Sequence, residues 1–172
     1  LAVTIDQESG ELYRKLLDLI SQRGVRDSVA VLGSIWDYIP SLYGTTAIYS
    51  TPSIMEGFGM SIQEAAACGV PGVASRRVPF AVEYLLGDSS ESRRLELPNG
   101  QVDTMDVGVG AVVVPPDSVD GLVAGLRTLL GAEELRRRMG EAAHRITIPR
   151  FTWREVTRRF LAHVGISEPS VE

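Results

Sequence analysis

The chain has 172 residues, of which 44% are hydrophobic and 23% charged, as is typical of a globular domain with a substantial core. The net charge of -5 argues against a general nucleic-acid binder, no apolar run approaches the roughly 20 residues that span a bilayer, and the first residues lack the features of a signal peptide. The single cysteine, Cys68, excludes an internal disulfide, and a cytoplasmic location is the expectation.

The first half of the chain alternates short apolar strands with amphipathic helices. The segment from Glu8 to Arg23 carries leucines at helical spacing, and Gly24 is suited to end a helix. We predict strands at residues 1–5, 28–32, 46–50 and 72–75, and helices at residues 8–23, 39–43, 60–67 and 79–86. Because strands separated by helices form parallel sheets, this order predicts an α/β fold with a Rossmann-like parallel sheet and helices on both faces.

Residues 87–106 interrupt this alternation with a polar segment. Pro98-Asn99-Gly100 is a turn signal, and it predicts that residues 94–97 and 101–104 pair as an exposed hairpin. We expect one domain at residues 1–166 that carries this hairpin-like insertion, followed by a flexible tail at residues 167–172.

The last part of the chain returns to a strand and helices. We predict a buried strand at residues 109–114 and helices after Pro115, at 132–145 and at 152–164. Asp117 or Ser118 would be the N-cap of the first of these helices. Its apolar face would consist of Val119, Leu122, Val123, Leu126 and Leu130.

The loops at the carboxyl ends of the strands are the candidate site, because ligands bind there in open α/β sheets. One of these loops contains Gly57-Phe58-Gly59 directly before the helix that begins at Met60. The glycines allow a sharp turn, and the first amides of a helix have no partner in the helix and carry partial positive charge. The pattern indicates an anion or hydroxyl site made of backbone donors, with a plain tight turn as the alternative.

Two glutamates flank this turn. Glu56 lies at the boundary of strand and loop, and Glu64 lies about one turn into the helix. Carboxylates accept hydrogen bonds from hydroxyl groups, so a ligand with hydroxyls at both ends and phosphates between them would use every part of the segment. A sugar nucleotide has this composition. The alternative is that Glu56 caps local backbone and Glu64 is a solvated helix residue.

The stretch "TPSIMEGFGMSIQEAAACGVPGVAS" resembles the E-x7-E signature of retaining GT-B glycosyltransferases of family four, which include sucrose-phosphate, mannosyl-transfer and glycogen-synthase-like enzymes. Upstream, "VAVLGSIWDYIPSLYGTTAIYSTPS" is similar to the family's approach to this signature. Downstream, "GAVVVPPDSVDGLVAGLRTLL", "RRRMGEAAHRI" and "FTWREVTRRF" resemble its closing strand and helices. The resemblance covers most of the chain and implies the C-terminal, nucleotide-sugar-binding half of a GT-B fold.

The resemblance also implies roles for individual residues. Glu56 would be catalytic, binding hydroxyls of the donor sugar and orienting the developing oxocarbenium-like centre. Glu64 would hold the ribose hydroxyls, and Ser34 and Ile35 would border the nucleobase. The residues that bind the donor sugar and phosphate would be Glu56, Gly57, Phe58, Gly59 and Met60.

Some parts of the family pattern do not occur in these 172 residues. No strand and helix with the Arg and Lys that neutralise the diphosphate precede Leu1, and the acceptor-binding half is absent. We therefore expect the chain to be one piece of a longer protein and to be inactive alone. Arg76 and Arg77 occupy the place of the family's glycine-rich turn. They could approach phosphate, but we favour their interpretation as exposed, solvated arginines.

The leading hypothesis is the donor-binding domain of a retaining hexosyltransferase that takes glucose or mannose from a nucleoside diphosphate sugar. No covalently bound cofactor is expected, and the sequence leaves open UDP, GDP or ADP and a divalent metal. An acceptor sugar or small polyol would be bound by an N-terminal domain, and neither nucleic acid nor membrane is an expected partner. The alternatives are a non-catalytic nucleotide-binding or assembly module and a sugar-nucleotide epimerase, whereas a dehydrogenase fits less well because G-x-G-x-x-G after the first strand is missing.

The other chemically notable residues favour structural interpretations. His144 and His163 have no partners at metal-ligand spacing and are expected on helix surfaces. Cys68 is expected as a small buried apolar residue. Asp103 and Asp106 lie in the polar insertion without a partner motif.

Overall fold

A computed structural model of the chain describes residues 1–4, 10–33, 35–97, 100 and 102–166. The chain divides into two compact units, Leu1–Leu42 and Tyr43–Glu172. The assignment of residues 1–166 to one donor-binding domain stays a prediction, and the tail predicted at residues 167–172 lies outside the described residues.

The first unit contains two parallel strands and one long helix. Strand β1, Ala2–Thr4, pairs with β2, Ala30–Leu32, and helix α1, Gly10–Gln22, lies between them in the chain. Ile20 is the buried residue of α1, whereas Leu12 is 59% exposed. The three-residue strands are about 10 Å long, whereas the 13-residue helix α1 is about 20 Å long. The strands are therefore too short to cover all the leucines that the sequence places at helical spacing on α1. Short 3₁₀ helices occupy Arg26–Ser28 and Trp36–Tyr38.

The second unit is built on a five-stranded sheet. Its strands, in spatial order, are β3 (Tyr49–Thr51), β4 (Gly72–Ser75), β7 (Ala111–Val114), β6 (Val102–Val107) and β5 (Glu91–Glu96). The first three strands are parallel, and the last two join them in antiparallel pairing. The α/β fold with a mainly parallel sheet is therefore confirmed.

The predicted hairpin is formed by β5 and β6, but it is not an exposed insertion. Arg94 lies opposite Thr104 across the hairpin, as the turn signal predicts. Met105 and Val107 are nevertheless buried, because β6 extends the main sheet by pairing with β7. Asp106 pairs with Val113, and β7 ends at Val114, so the first residues of β6 project beyond the carboxyl end of β7.

The helices of the second unit cover both faces of the sheet. Helix α3, Met60–Ala67, and the wide π-helical turn Ala81–Leu85 lie on one face, and helix α4, Val119–Leu130, lies on the other. Alternate residues of β7 serve the two core clusters, with Val113 in the first and Val112 in the second. The remaining helices are α2 (Ile39–Gly44), at the boundary of the two units, α5 (Glu133–Thr147) and α6 (Trp153–His163). Among the described residues, no helix has the length and apolar character needed to cross a membrane.

Helix α4 packs against the core with part of the predicted apolar face, since Leu122 and Leu126 are half-buried there, and with other residues that were not predicted. Ser118, one of the two predicted candidates, is the N-cap of α4. The Ser118 hydroxyl oxygen accepts a hydrogen bond from the Gly121 amide at 3.0 Å. Val119 is 77% exposed, and Leu130 is 66% exposed. A Cβ atom on Gly125 would lie 2.8 Å from a methyl group of Val73, so the helix approaches the sheet too closely for large residues. The buried positions are Gly121, Gly125 and Leu129.

Candidate functional site

The loop at residues 52–59, here called the site loop, follows β3 at the carboxyl edge of the sheet. It is bonded to the neighbouring strand, since the Ser75 hydroxyl at the end of β4 donates to the carbonyl oxygen of Ser53. The hydroxyl groups of Thr51 and Ser53 lie 3.2 Å apart. The site loop is therefore held against the end of β4, at the edge where the sequence predicts a ligand.

The turn before α3 depends on only one of its two glycines. Gly59 is the N-cap of α3 and has a φ of 101°, which L side chains rarely adopt. A Cβ atom there would lie 2.6 Å from a methyl carbon of Val78, whereas a Cβ atom on Gly57 would meet nothing within 4 Å. Gly59 is thus required by conformation and packing, and Gly57 leaves open space above the backbone.

Several amides at the start of α3 have no acceptor within the described residues. No side chain caps the helix, and the first amide bonded within it is that of Gln63, which donates to the Gly59 carbonyl at 3.1 Å. Within the part of the chain that the structure describes, the amides of Phe58, Gly59 and Met60 have no protein acceptor. Because a helix N-terminus also carries partial positive charge, these three amides suit an anionic oxygen.

The side chain of Phe58 anchors the site loop in the core. Its ring packs 5.5 Å from that of Phe80, 6.2 Å from Tyr84 and 6.1 Å from Phe151, all measured between centroids. Phe80 is fully buried, and its amide donates to the Phe58 carbonyl at 2.8 Å. This aromatic cluster of four rings occupies the side chain of Phe58, and its carbonyl oxygen is also bonded within the protein.

The two glutamates have different positions and surroundings, since Glu56 lies in the site loop and Glu64 lies within α3. Glu56 is half-buried, and its carboxylate accepts a hydrogen bond from the Gly57 amide at 3.1 Å, which is the local contact expected of a backbone cap. Glu64 is exposed on α3. Their binding roles stay predictions, and both carboxylates are placed so that a ligand could replace these local or solvent contacts.

Two tyrosines beneath the start of α3 could not be identified from the sequence. Burial raises the pKa of Tyr49, and the negative charges of Glu64 and Glu56 raise it further. Burial also raises the pKa of Tyr43, and the nearby Tyr49 and Glu64 raise it further. The Tyr43 hydroxyl donates to the carbonyl oxygen of Ser61 at 3.0 Å, and the two tyrosine rings pack edge to face. Both phenols therefore stay neutral at physiological pH, and the negative charge of Glu64 acts on both.

The two arginines after β4 differ sharply. The Arg76 guanidinium donates to the carbonyl and hydroxyl oxygens of Thr104 at 2.8 and 3.1 Å, and it contacts the carboxylates of Asp106 at 3.3 Å and Asp103 at 3.6 Å. Arg76 is exposed, as predicted, but it is bound in ion pairs rather than solvated alone, and the two aspartates have a partner that the sequence pattern did not reveal. Arg77 is exposed, as expected.

The predicted nucleobase residues belong to the first unit. Ser34 lies outside the described residues. Ile35 is half-buried directly before a 3₁₀ helix, and its carbonyl oxygen accepts a hydrogen bond from the Tyr38 amide at 2.8 Å. Their contact with a nucleobase stays a prediction.

The opposite end of α3 carries a groove of about 430 Å³ that the sequence did not predict. Cys68 directly follows the last residue of α3 and lines this groove together with residues of α5. It is exposed, so its predicted burial is wrong. His144 is exposed as expected, but its Nδ1 lies 2.7 Å from the Ala67 carbonyl oxygen. His163 is also exposed. Among the described residues, no group of three or more His, Cys, Asp or Glu side chains could hold a metal ion.

Comparison with known proteins identifies relatives for most of the chain. A family model described as "Glycosyl transferases group 1" matches residues 4–91. The chain is 30% identical over 145 residues to the MMP alpha-(1->4)-mannosyltransferase of Mycolicibacterium hassiacum, which covers 84% of this chain and 30% of the relative. It is 28% identical over 133 residues to the probable sucrose-phosphate synthase 5 of Oryza sativa, which covers 75% of this chain and 11% of the relative. The chain thus spans less than a third of either relative.

Solved structures share the fold at lower sequence identity. HepE of Anabaena, in complex with UDP and glucose, superposes with a TM-score of 0.76 at 21% identity, covering 95% of this chain and 40% of HepE. A glycosyltransferase from Rickettsia africae superposes with a TM-score of 0.74 at 18% identity, covering 94% of this chain and 38% of that one. These neighbours confirm the α/β fold and its likeness to GT-B glycosyltransferases.

Proposed function

Because the chain belongs to the glycosyl transferases group 1 family, we propose that it is the donor-binding domain of a retaining glycosyltransferase. The complete enzyme moves a hexose, glucose or mannose, from a nucleoside diphosphate sugar to an acceptor. One observation carries the proposal: the start of α3 presents three free amides between Glu56 and Glu64. The complex of HepE with UDP and glucose and the similarity to a mannosyltransferase support the same class of donor.

Each part of the site has a role in this proposal. The amides of Phe58, Gly59 and Met60 donate to oxygens of the sugar and of the diphosphate. Glu56 accepts from the sugar hydroxyls and stabilises positive charge near the anomeric carbon, and Glu64 accepts from the ribose hydroxyls. Ser34 and Ile35 border the nucleobase. The two glutamates stand eight positions apart, which is the E-x7-E spacing of retaining enzymes.

The proposed reaction keeps the configuration of the anomeric carbon. The bond between this carbon and the diphosphate oxygen breaks, and a bond to the acceptor oxygen forms on the same face. The leaving diphosphate takes the proton of the acceptor hydroxyl, so no protein nucleophile is required. The contribution of this chain is to position the donor and to stabilise charge as it develops.

The acceptor site is proposed to lie outside these residues. The chain spans 30% of the related mannosyltransferase and 40% of HepE, so a second half of the enzyme would bind the acceptor sugar or polyol. The 172-residue chain would then bind a donor nucleotide without transferring sugar, and the complete enzyme would act in the cytoplasm.

Calorimetric titration of the 172-residue chain with UDP, GDP and ADP tests this function. We expect one of the three nucleotides to bind, and Glu64→Ala to weaken that binding about tenfold, because a charge-assisted hydrogen bond to the ribose is lost. Glu133→Ala, which removes an exposed glutamate from the first turn of α5, is the matched control and should leave the affinity unchanged. Failure of all three nucleotides to bind, or equal affinities for both variants, would contradict the proposal.

A further inference from the structure

The segment at residues 75–80 contacts the site loop at several residues. The Ser75 hydroxyl donates to the Ser53 carbonyl, and the Arg77 amide donates to the Ser75 hydroxyl oxygen at 3.1 Å. Two hydrogen bonds through one hydroxyl group thus connect Arg77 to the site loop. The backbone of Arg77 is fixed even though its side chain is exposed.

The residues after Arg77 are in direct contact with the start of α3. A Cβ atom on Gly59 would lie 2.6 Å from a methyl carbon of Val78, which places Val78 against the N-cap of the helix. The Phe80 amide donates to the Phe58 carbonyl at 2.8 Å. Arg77 therefore lies between contacts with Ser53 on one side and Gly59 on the other, which are the two ends of the site loop.

Arg76 cannot serve this region because its side chain is directed away from it. Its guanidinium is bound to Thr104, Asp106 and Asp103 on β6. In the strand order β6 lies beyond β7, on the opposite side of β4 from β3 and the site loop. The Arg76 guanidinium also forms ion pairs with two carboxylates within 4 Å.

The positive charge of Arg77 is not balanced by an ion pair with a described residue. Among the described residues, no Asp or Glu oxygen lies within 4 Å of its guanidinium. The site loop and α3 carry charge of the opposite sign, since Glu56 precedes the free amides in sequence and Glu64 follows them. The free amides carry only partial positive charge, and the two carboxylates would repel the negative charge of a diphosphate. A full positive charge on the Arg77 side chain would therefore strengthen the binding of a diphosphate.

We propose that Arg77 binds the diphosphate of the nucleotide held at the start of α3. Guanidinium groups match phosphate oxygens in planar, two-point hydrogen bonds, and Arg77 has both an anchored backbone and a free side chain. The assignment rests on the proposed function, because it names a residue that contacts the same donor. It supplies, from within this chain, a cation that the sequence pattern did not place in the donor site.

Calorimetry with UDP and with uridine, which lacks the phosphates, separates this contact from others. We expect Arg77→Gln to weaken UDP binding about tenfold and to leave uridine binding unchanged, and Arg77→Lys to recover part of the loss. The loss should shrink as salt is raised, because ions screen an exposed charge. Arg138→Gln, on the exposed side of α5, is the matched control for removal of one positive charge and should have no effect.

Different results overturn the two proposals. UDP binding that is equal in the parent chain and in Arg77→Gln overturns the role of Arg77 and leaves the proposed function intact. An equal loss of UDP and uridine binding also overturns it, because a phosphate contact cannot affect uridine. If the parent chain binds no nucleotide, the proposed function fails and this assignment fails with it. Thermal unfolding of each variant confirms that the exposed substitution leaves the fold unchanged.

Discussion

Replacing Gly59 by alanine is expected to lower the free energy of unfolding by about 3 kcal/mol. Two costs combine at this position. The φ of 101° is unfavourable for an L side chain, and the new Cβ atom would lie 2.6 Å from a methyl carbon of the fully buried Val78. Because Gly59 also begins α3, any shift that relieves this contact would move the three free amides. Equilibrium unfolding in urea measures the loss.

Gly57→Ala is the matched control, two residues earlier in the same turn. A Cβ atom there would meet nothing within 4 Å, so the free energy of unfolding should change by less than about 1 kcal/mol. Equal effects of the two substitutions would show that the turn does not have the described conformation.

Phe80→Ala is expected to cost about 3–5 kcal/mol of unfolding free energy. Phe80 is fully buried, and its ring packs 5.5 Å from Phe58, 5.3 Å from Tyr84 and 5.3 Å from Phe151. Truncation would leave a cavity at the centre of the aromatic cluster and remove the support of the site loop. Chemical denaturation measures the stability, and nucleotide affinity should fall as well if the protein remains folded.

Phe160→Ala removes the same side chain from α6, where Phe160 is 64% exposed. Its effect should be within about 0.5 kcal/mol, as for most surface substitutions. A large loss in this control, or a loss below about 1 kcal/mol for Phe80→Ala, would contradict the described core.

Local sequence signals were sufficient where an element begins and ends with distinctive residues. Helix α3 spans Met60–Ala67 and β4 spans Gly72–Ser75, as predicted, because Gly59 begins the helix and the Gly69 to Pro71 segment separates it from the strand. The antiparallel pairing of β5 and β6 also follows from a local turn signal.

Long-range packing decided what the sequence did not reveal. Two of the three buried positions of α4 are glycines because the helix closely approaches Val73, which helical periodicity cannot indicate. The ion pair of Arg76 with Asp106 joins residues 30 positions apart, through the extension of the sheet by β6. Cys68 is exposed in a groove that it shares with residues of α5, and this groove depends on the packing of two helices that are distant in sequence.

The candidate site was predictable in its backbone but not in its surroundings. The free amides before and at Met60 follow from a glycine turn that begins a helix. The steric need for Gly59 alone, the aromatic support of Phe58 and the buried Tyr43 near Glu64 depend on the folded arrangement of distant strands and helices. The binding roles of Glu56 and Glu64 stay predictions until a ligand is measured.

Backbone amide resonances report whether a nucleotide binds at the start of α3. In a titration of the ¹⁵N-labelled chain with UDP, we predict the largest shift changes at Phe58, Gly59 and Met60, with a smaller change at the Arg77 amide. Two results would show that UDP does not bind at the start of α3. The first is binding with chemical-shift changes centred on the groove near Cys68 and His144, and the second is no change in the amide resonances of residues 58–60.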